Sequence, residues 1–582
     1  MFPSRFLPTT LVLGALALLP AAALLAQEFV RIESSRIPIQ DGITGLILPV
    51  RTDAFWIGRE ELNQREYVRV MGQNPSRYRG ETRPVENVSW RDAVAYCNRR
   101  SRQEGLAPCY DDQLRTRNDC DGYRLPTENE WLRATRASGD GTLPEGILAE
   151  SALYDGENSV AAILERTKAG TRASIDAPPA SNKVKDLVGN VWEWCADRFN
   201  AVRIIDSVDN PAGPQTGNER VIRGGSFLNR AREWNKGFRS SMLPEAKSEY
   251  VGFRLARSIQ ATTVEPDSST MPSIKSVAAV DAPAKPDRDA LRKRWLDVLG
   301  QPSLPSGTTR TRLVAGFEEP VWNARLLELT VEEGFPWRAL MVLPAHRKAE
   351  KLPVIIVPYY DVDTPAGKNL GGRNALPPGV RAFAHVATQY GMAALVVRWS
   401  GENDSPGYYE MVASLAERHP GVSGLGYWVW QARQLADWIG NQPELDAQRI
   451  GIMGHSLGGK MALYAAAFEP RISAVVSSEP GIAFAFTNYE DPWYYGERIT
   501  LLPPGTDQDE LLALTAPRPF LLIAGESADG AKSIPLLQRG ARAYAASGKP
   551  SALSILNHGT GHSPTPESVV EAFEWLRLQL AP

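Results

Sequence analysis

The chain has 582 residues, a formal net charge of −3, 43% hydrophobic residues and four cysteines. That length exceeds what one core can hold and implies two or three domains. The near-balanced charge, with no Lys/Arg block, excludes nucleic acid or an anionic membrane surface as a partner.

In chain order, residues 1–26 read as an export signal. Arg5 supplies the positive start, Leu11 to Leu19 is almost wholly apolar, and Ala21-Ala22-Ala23-Leu24-Leu25-Ala26 offers cleavage after Ala23 or Ala26. Cleaved, or kept as an N-terminal anchor, the segment places the remainder in the periplasm or the extracellular space. No later segment has the roughly 18 apolar residues of a membrane span. Residues 28–257 are loop-rich, with helical patterning at Trp90–Arg102 and Glu128–Ala137. Cys109 and Cys120 bracket a short polar segment and could close it as a disulfide in an oxidising compartment. Cys97 and Cys195 are left free or paired, and the spacing is not that of a zinc site. Residues 258–287, rich in Ala, Pro, Ser, Thr and Asp, read as an extended linker, and Arg288–Leu299 as an amphipathic helix opening the next domain.

Beyond that helix, Leu326–Val331 and Arg338–Leu343 alternate as strands. Apolar runs follow at Pro353–Val357, Gly391–Val397, Arg449–Met453, Ile472–Val476, Pro519–Ala524 and Ala552–Leu556, with helical segments such as Trp428–Gly440 and Glu567–Leu580 between them. Apolar strands alternating with helices predict a mostly parallel sheet covered on both faces.

Within this series Gly454-His455-Ser456-Leu457-Gly458 joins a short strand to a helix-favouring run, the context of a nucleophile elbow. A serine needs a base and the base an orienting acid, in the chain order Ser, acid, His. Only His558 and His562 follow the elbow, in the loop after the last strand. His562 is the preferred base and His558 the alternative. The acid is expected after the penultimate strand, where Asp529 is preferred over Glu526. The oxyanion hole is expected from the backbone amide of Leu457 with that of Tyr359 or Tyr360.

Residues 288–582 thus resemble the α/β-hydrolase family, nearest to dienelactone-hydrolase-like and acetylxylan-esterase-like members, from Leu352-Pro353-Val354-Ile355-Ile356 through the elbow to Gly559-Thr560-Gly561-His562. The resemblance implies a serine esterase forming an acyl-enzyme, without a cofactor, on a small-molecule or carbohydrate ester. The aromatic stretch Ala483 to Tyr495 could wall an acyl or sugar pocket or simply pack as core.

Residues 28–257 carry Phe55-Trp56-Ile57-Gly58, Arg83-Pro84-Val85, Tyr123-Arg124-Leu125-Pro126-Thr127, Val188-Gly189-Asn190-Val191-Trp192-Glu193-Trp194, Arg223-Gly224-Gly225-Ser226-Phe227 and Gly252-Phe253-Arg254. Collectively these resemble the formylglycine-generating enzyme (sulfatase-modifying factor) family, which implies an irregular α+β, C-type-lectin-like fold. Its oxidising members hold copper(I) through two cysteines after the Gly-Gly-Ser segment, and soft thiolates suit that ion. Here Asn229 and Trp234 stand in that region, so copper chemistry is not expected. Histidine, which the family's iron-dependent members use, is absent from residues 28–257. The resemblance also implies a structural calcium site from the side chains of Asp186 and Glu193 and the carbonyls of Gly189 and Val191.

The expectation is an exported serine esterase with a catalytically silent N-terminal module that binds a protein or glycan or packs on the hydrolase. The alternatives are a formylglycine-generating oxidoreductase carrying a passenger hydrolase, and a non-enzymatic binding protein.

Overall fold

The computed structural model describes residues 28–40, 46–117, 120–135, 167–173, 184–200, 208–214, 216–229, 239–259, 272–280, 282, 285–301, 309–345, 350–368, 370, 379–399 and 408–582. The expected export signal, Trp234 and much of the linker lie outside the described residues.

The N-terminal domain is built from short strands and a few helices. Strands β1 (Phe29–Ile32), β4 (Phe55–Gly58) and β9 (Ala256–Ser258) form one antiparallel sheet. Strands β5 (Trp192–Arg198), β6 (Arg220–Arg223), β7 (Arg239–Met242) and β8 (Val251–Gly252) form a second, in the order β7-β6-β5-β8. Helix α1 (Trp90–Gln103) begins at Ser89, whose hydroxyl accepts from the Asp92 amide while Asp92 accepts from the Ser89 amide. That capping box satisfies two otherwise orphaned amides. The helix buries Trp90, Val94 and Cys97 against Trp194 and Phe253. A disulfide joins Cys109 to Cys120, and Cys97 and Cys195 are free thiols buried in the cores.

A third N-terminal element has a different destination. Strands β2 (Ser35–Gln40) and β3 (Ile47–Thr52) form a two-stranded sheet of their own, with one further bridge from Arg51 to Asp209. Their hairpin reaches the second domain: Ile47 is fully buried in a hydrolase core cluster, and Arg36 bonds Glu571 at 3.1 Å and Glu574 at 3.2 Å.

The C-terminal domain is organised by a ten-stranded sheet. Six strands run parallel in the order β19-β18-β17-β16-β14-β15: β14 (Leu352–Tyr359), β15 (Ala393–Arg398), β16 (Leu445–His455), β17 (Ile472–Ser478), β18 (Phe520–Ala524) and β19 (Leu553–Asn557). Beyond β15 the antiparallel strands β13 (Trp337–Pro344), β12 (Trp322–Thr330) and β11 (Arg310–Glu318) extend the sheet. Side chains alternate between two cores. Val354 and Ile356 face one, with helices α2 (Arg288–Leu299), α3 (Gly424–Gly440) and α4 (Leu457–Phe468). Ile355 and Val357 face the other, with α5 (Phe383–Gln389) and α6 (Pro566–Gln579). This period-two division makes the central strands uniformly apolar.

Two elements differ from what the sequence pattern suggests. The segment 258–287 is not linker throughout: β10 (Ile274–Ser276) pairs antiparallel with β19, and Val277 is buried in the hydrolase core. An edge strand of three residues carries too little pattern to stand out in a Pro/Ala/Ser-rich stretch. Strand β11 was also unforeseen, because most of its residues are exposed and its polar side chains mask the strand period.

Candidate active site

The parallel strands end together, and the chemistry-bearing residues sit on the turns beyond their carboxyl ends, as in open α/β sheets generally. Ser456 lies between β16 and α4 with φ 56° and ψ −115°, a left-handed strain that a nucleophile elbow imposes on a non-glycine residue. The flanking glycines explain how the turn is accommodated. A Cβ on Gly454 would fall 2.0 Å from the Gly458 carbonyl oxygen, and one on Gly458 would fall 2.3 Å from that of Pro358. The elbow is thereby pressed against the end of β14. Ser456 also donates its amide to the Ser478 carbonyl at 2.8 Å, which ties it to the end of β17. As the first residue of α4, Leu457 carries an N–H with no partner inside the helix by position.

His562 comes to this elbow. Its ring centroid is 4.8 Å from that of His455, the residue before Ser456. The loop holding it is pinned to the loop after β18: His558 donates its amide to Ala524 (2.9 Å) and Gly561 to Gly525 (2.7 Å). His558 points elsewhere, with Nδ1 2.8 Å from the Thr560 hydroxyl.

The carboxylate beside His562 is not Asp529 but Glu479, whose Oε2 is 3.4 Å from His562 Nδ1. Glu479 follows β17 directly, at φ 48°, and its side chain is completely buried. It accepts the amides of Gly525, of Ala528 (2.7 Å) and of Asp529 (3.2 Å). These donors keep a buried carboxylate satisfied. With the proton on Nδ1 facing Glu479, Nε2 of His562 is left as an acceptor.

Asp529, the expected acid, faces the other way. Its oxygens accept the amides of Gly481 (2.6 Å) and Ile482 (2.8 Å) and the Ser533 hydroxyl (2.9 Å). Burial raises its carboxyl to about 6, against these hydrogen bonds, which favour the ionised form. Asp529 therefore fastens the segment after Glu479, while its own amide holds Glu479. Its rival Glu526 turns outward to Asn557 and the Ala531 amide. The order rule for hydrolases points to the loop after β18, whereas the carboxylate that reaches His562 lies at the end of β17. The available signal was a carboxylate in Ser477-Ser478-Glu479-Pro480-Gly481, at the end of the apolar strand next to the nucleophile's.

Further groups crowd the site. Burial pushes the His455 imidazole well below its ordinary value, with His562, Arg381 and His558 adding to the shift, so His455 is neutral and packs against Ser478 Oγ at 3.1 Å. Tyr359, the expected oxyanion residue at the end of β14, is buried and accepts the Trp399 amide on its carbonyl; Tyr360 is exposed. Lys460, one helical turn after Ser456, reaches into the aromatic segment. Its Nζ bonds Thr487 Oγ1 (3.2 Å) and Asn488 Oδ1 (3.3 Å) and lies over the Tyr489 and Tyr494 rings. Burial lowers its ammonium to about 8, opposed by Asp491, Asp529 and Glu490.

The calcium set proposed for the N-terminal domain does not fit the ion. The Glu193 carboxylate is held by Arg254 through two nitrogens, each at 2.5 Å, and by Trp131 Nε1 at 2.8 Å. Asp186 bonds Arg172 at 2.7 Å. The guanidinium already supplies the positive charge. Among the described residues no group of three His, Cys, Asp or Glu is placed to hold a metal. Burial raises the neighbouring Glu61 carboxyl well above its ordinary value, and Asp186 and Glu193 add to it. Asn229, which stands in the family's cysteine region, accepts from the Ser226 amide at 2.8 Å.

The architecture is an α/β domain with a mostly parallel sheet carrying a second domain of short sheets, and comparison with known proteins makes both halves specific. Residues 42–259 match the family model "Sulfatase-modifying factor enzyme 1-like domain", and residues 403–487, which hold the elbow, Lys460 and Glu479, match "Glucuronyl esterase, fungi". Chaperone protein LppX of Paenibacillus barcinonensis is 32% identical over 179 residues, covering 24% of this chain and 61% of that protein. Formylglycine-generating enzyme of Mus musculus is 31% identical (30% and 44% covered), as is the mouse Inactive C-alpha-formylglycine-generating enzyme 2 (30% and 49%). The chain spans less than two thirds of the length of each of these relatives. Among solved structures, a Glucuronoyl Esterase from Solibacter usitatus is 16% identical with a TM-score of 0.44, covering 53% of this chain and 99% of that one. The chain thus joins a sulfatase-modifying-factor-like domain to a glucuronyl-esterase-like α/β domain.

Proposed function

We propose that the protein is an exported serine esterase acting on carbohydrate esters through Ser456, His562 and Glu479. The observation that carries this reading is the buried Glu479 carboxylate on His562 Nδ1, beside an elbow that holds Ser456 in strained backbone. Nε2 of His562 takes the Ser456 proton as Oγ adds to the ester carbonyl, and gives it to the departing alkoxide. Water then enters by the same base and releases the acid from the acyl-enzyme. The amides of Leu457 and of Tyr360, the residue just past β14, are assigned to the oxyanion, because the Tyr359 amide lies in the ladder to β15; each donor of this kind contributes roughly 3 kcal/mol. Lys460 brings a cation to the helical turn after Ser456, in keeping with the match of residues 403–487 to a glucuronyl esterase model, while the Tyr489 and Tyr494 rings beneath it are buried as core.

The N-terminal domain is assigned a non-oxidising, accessory role: it lacks cysteines in its Gly224-Gly225-Ser226 region and packs on the hydrolase through the β2–β3 hairpin. A disulfide between Cys109 and Cys120 is in keeping with export. The deciding experiment measures hydrolysis of p-nitrophenyl acetate and of a methyl glucuronate ester by the full chain and by Ser456→Ala. Turnover is expected to vanish in the variant while its melting temperature holds; retained turnover would sink the assignment.

A further inference from the structure

Arg381 is the charged group that the catalytic constellation leaves unused. It stands at the end of the segment after β14, two residues before α5, and its Nη2 donates to Ser563 Oγ at 2.6 Å. Ser563 is the neighbour of His562. The guanidinium also lies beside the Tyr359 phenol, which burial raises and Arg381 opposes, and its field reaches His455. These three residues lie around the elbow: Tyr359 ends β14 next to Pro358, which meets Gly458, His455 precedes Ser456, and Ser563 follows His562. Among the described residues the guanidinium has no carboxylate partner. The nearby Asp361 spends its oxygens on the Thr364 amide (2.5 Å) and hydroxyl (3.0 Å). The Glu479 carboxylate faces His562 and backbone amides.

A half-buried guanidinium answered only by a hydroxyl and a phenol holds unspent hydrogen-bonding capacity. Its planar fork matches a carboxylate in two parallel bonds. Resting on the esterase reading above, we propose that Arg381 is a specificity residue that binds a carboxylate carried by the ester substrate, so that the site prefers acidic esters over neutral ones of the same size. The seating of Arg381 is supported from outside the hydrolase. Leu46 of the N-terminal domain packs against Gly367, and Ile47 shares a core with Ala366 and Phe383 on either side of the segment bearing Arg381.

The test uses the full chain and two probes, mono-p-nitrophenyl glutarate and its methyl-capped neutral counterpart. The wild type is expected to favour the acidic ester by roughly 10- to 100-fold in kcat/KM, as a charge-assisted contact allows. Arg381→Gln should erase that preference by raising KM for the acidic ester, with turnover of the neutral one unchanged. Arg381→Lys should restore part of it, and added salt should erode what Lys restores more than what Arg gives. Equal loss on both esters would overturn the proposal by placing the charge on the reacting carbonyl, and so would a wild type with no preference. Should Arg381→Gln not fold, the wild-type preference and the Arg381→Lys profile still decide. Both probes are run with Ser456→Ala as well: residual hydrolysis there refutes the esterase reading itself, whereas loss of the acidic preference with Ser456-dependent turnover intact refutes only the role of Arg381.

Discussion

Each domain buries a carboxylate, Glu193 within β5 and Glu479 just past the end of β17, and the two are answered in different ways. Glu193 in β5 meets Arg254, and neither side chain of the pair is exposed at all. Glu479 after β17 is equally buried, but its partner His562 is 44% exposed. A guanidinium never gives up its charge in a protein, so the first pair is a fixed strut. An imidazole can gain and lose a proton at neutral pH, and one that opens to solvent can exchange it with a substrate. Identical burial on the acid side therefore serves rigidity in one domain and chemistry in the other, and the partner decides which.

The comparison breaks most sharply at Glu479. Glu479→Gln should lower kcat on p-nitrophenyl acetate by about 10³- to 10⁴-fold, the order seen when the orienting acid of a triad is neutralised, whereas Asp529→Asn should cost less than about tenfold. The reverse ranking would return the acid to the loop after β18. Arg254→Met leaves Glu193 charged and alone, so melting should show a loss of roughly 3–5 kcal/mol, with activity per folded molecule preserved. A smaller effect concerns pH. Burial raises the Asp529 carboxyl to about 6 in the fold, from an ordinary 3.8. Its folded value is raised, so its contribution is most favourable below pH 3.8 and declines as pH climbs to about 6. The decline is at most about 3 kcal/mol, and stability curves of Asp529→Asn should be flatter across that window. Smallest of all, millimolar calcium should leave the melting temperature of the protein unchanged, because Arg254 already neutralises the expected site; a clear rise would reinstate the ion.

The parallel strands were legible because each is a continuous apolar run between turn residues. Ser456 and His562 were legible because local sequence marks them, a glycine-flanked serine and a histidine after the last strand. Glu479 was not, since what selects it is register: β16 and β17 pair so that His455 lies opposite Ser478, which brings the next residue beside the elbow. A carboxylate chosen by strand pairing leaves no pattern in the linear chain. The calcium expectation failed for a related reason. Arg254, which fills the role of the ion, is 61 residues from Glu193, and no spacing rule connects them.

The β2–β3 hairpin makes the boundary between the two halves a poor place to cut. Ile47 occupies an apolar socket shared with Phe383 and Phe573, and emptying it forgoes roughly 1.5–3 kcal/mol of burial while wetting the wall behind α5 and α6. A fragment starting at Arg288 would lose β10 too, baring the backbone of β19 as a sticky sheet edge. Such a fragment is expected to aggregate, and the two modules should be handled, and inherited, as one unit.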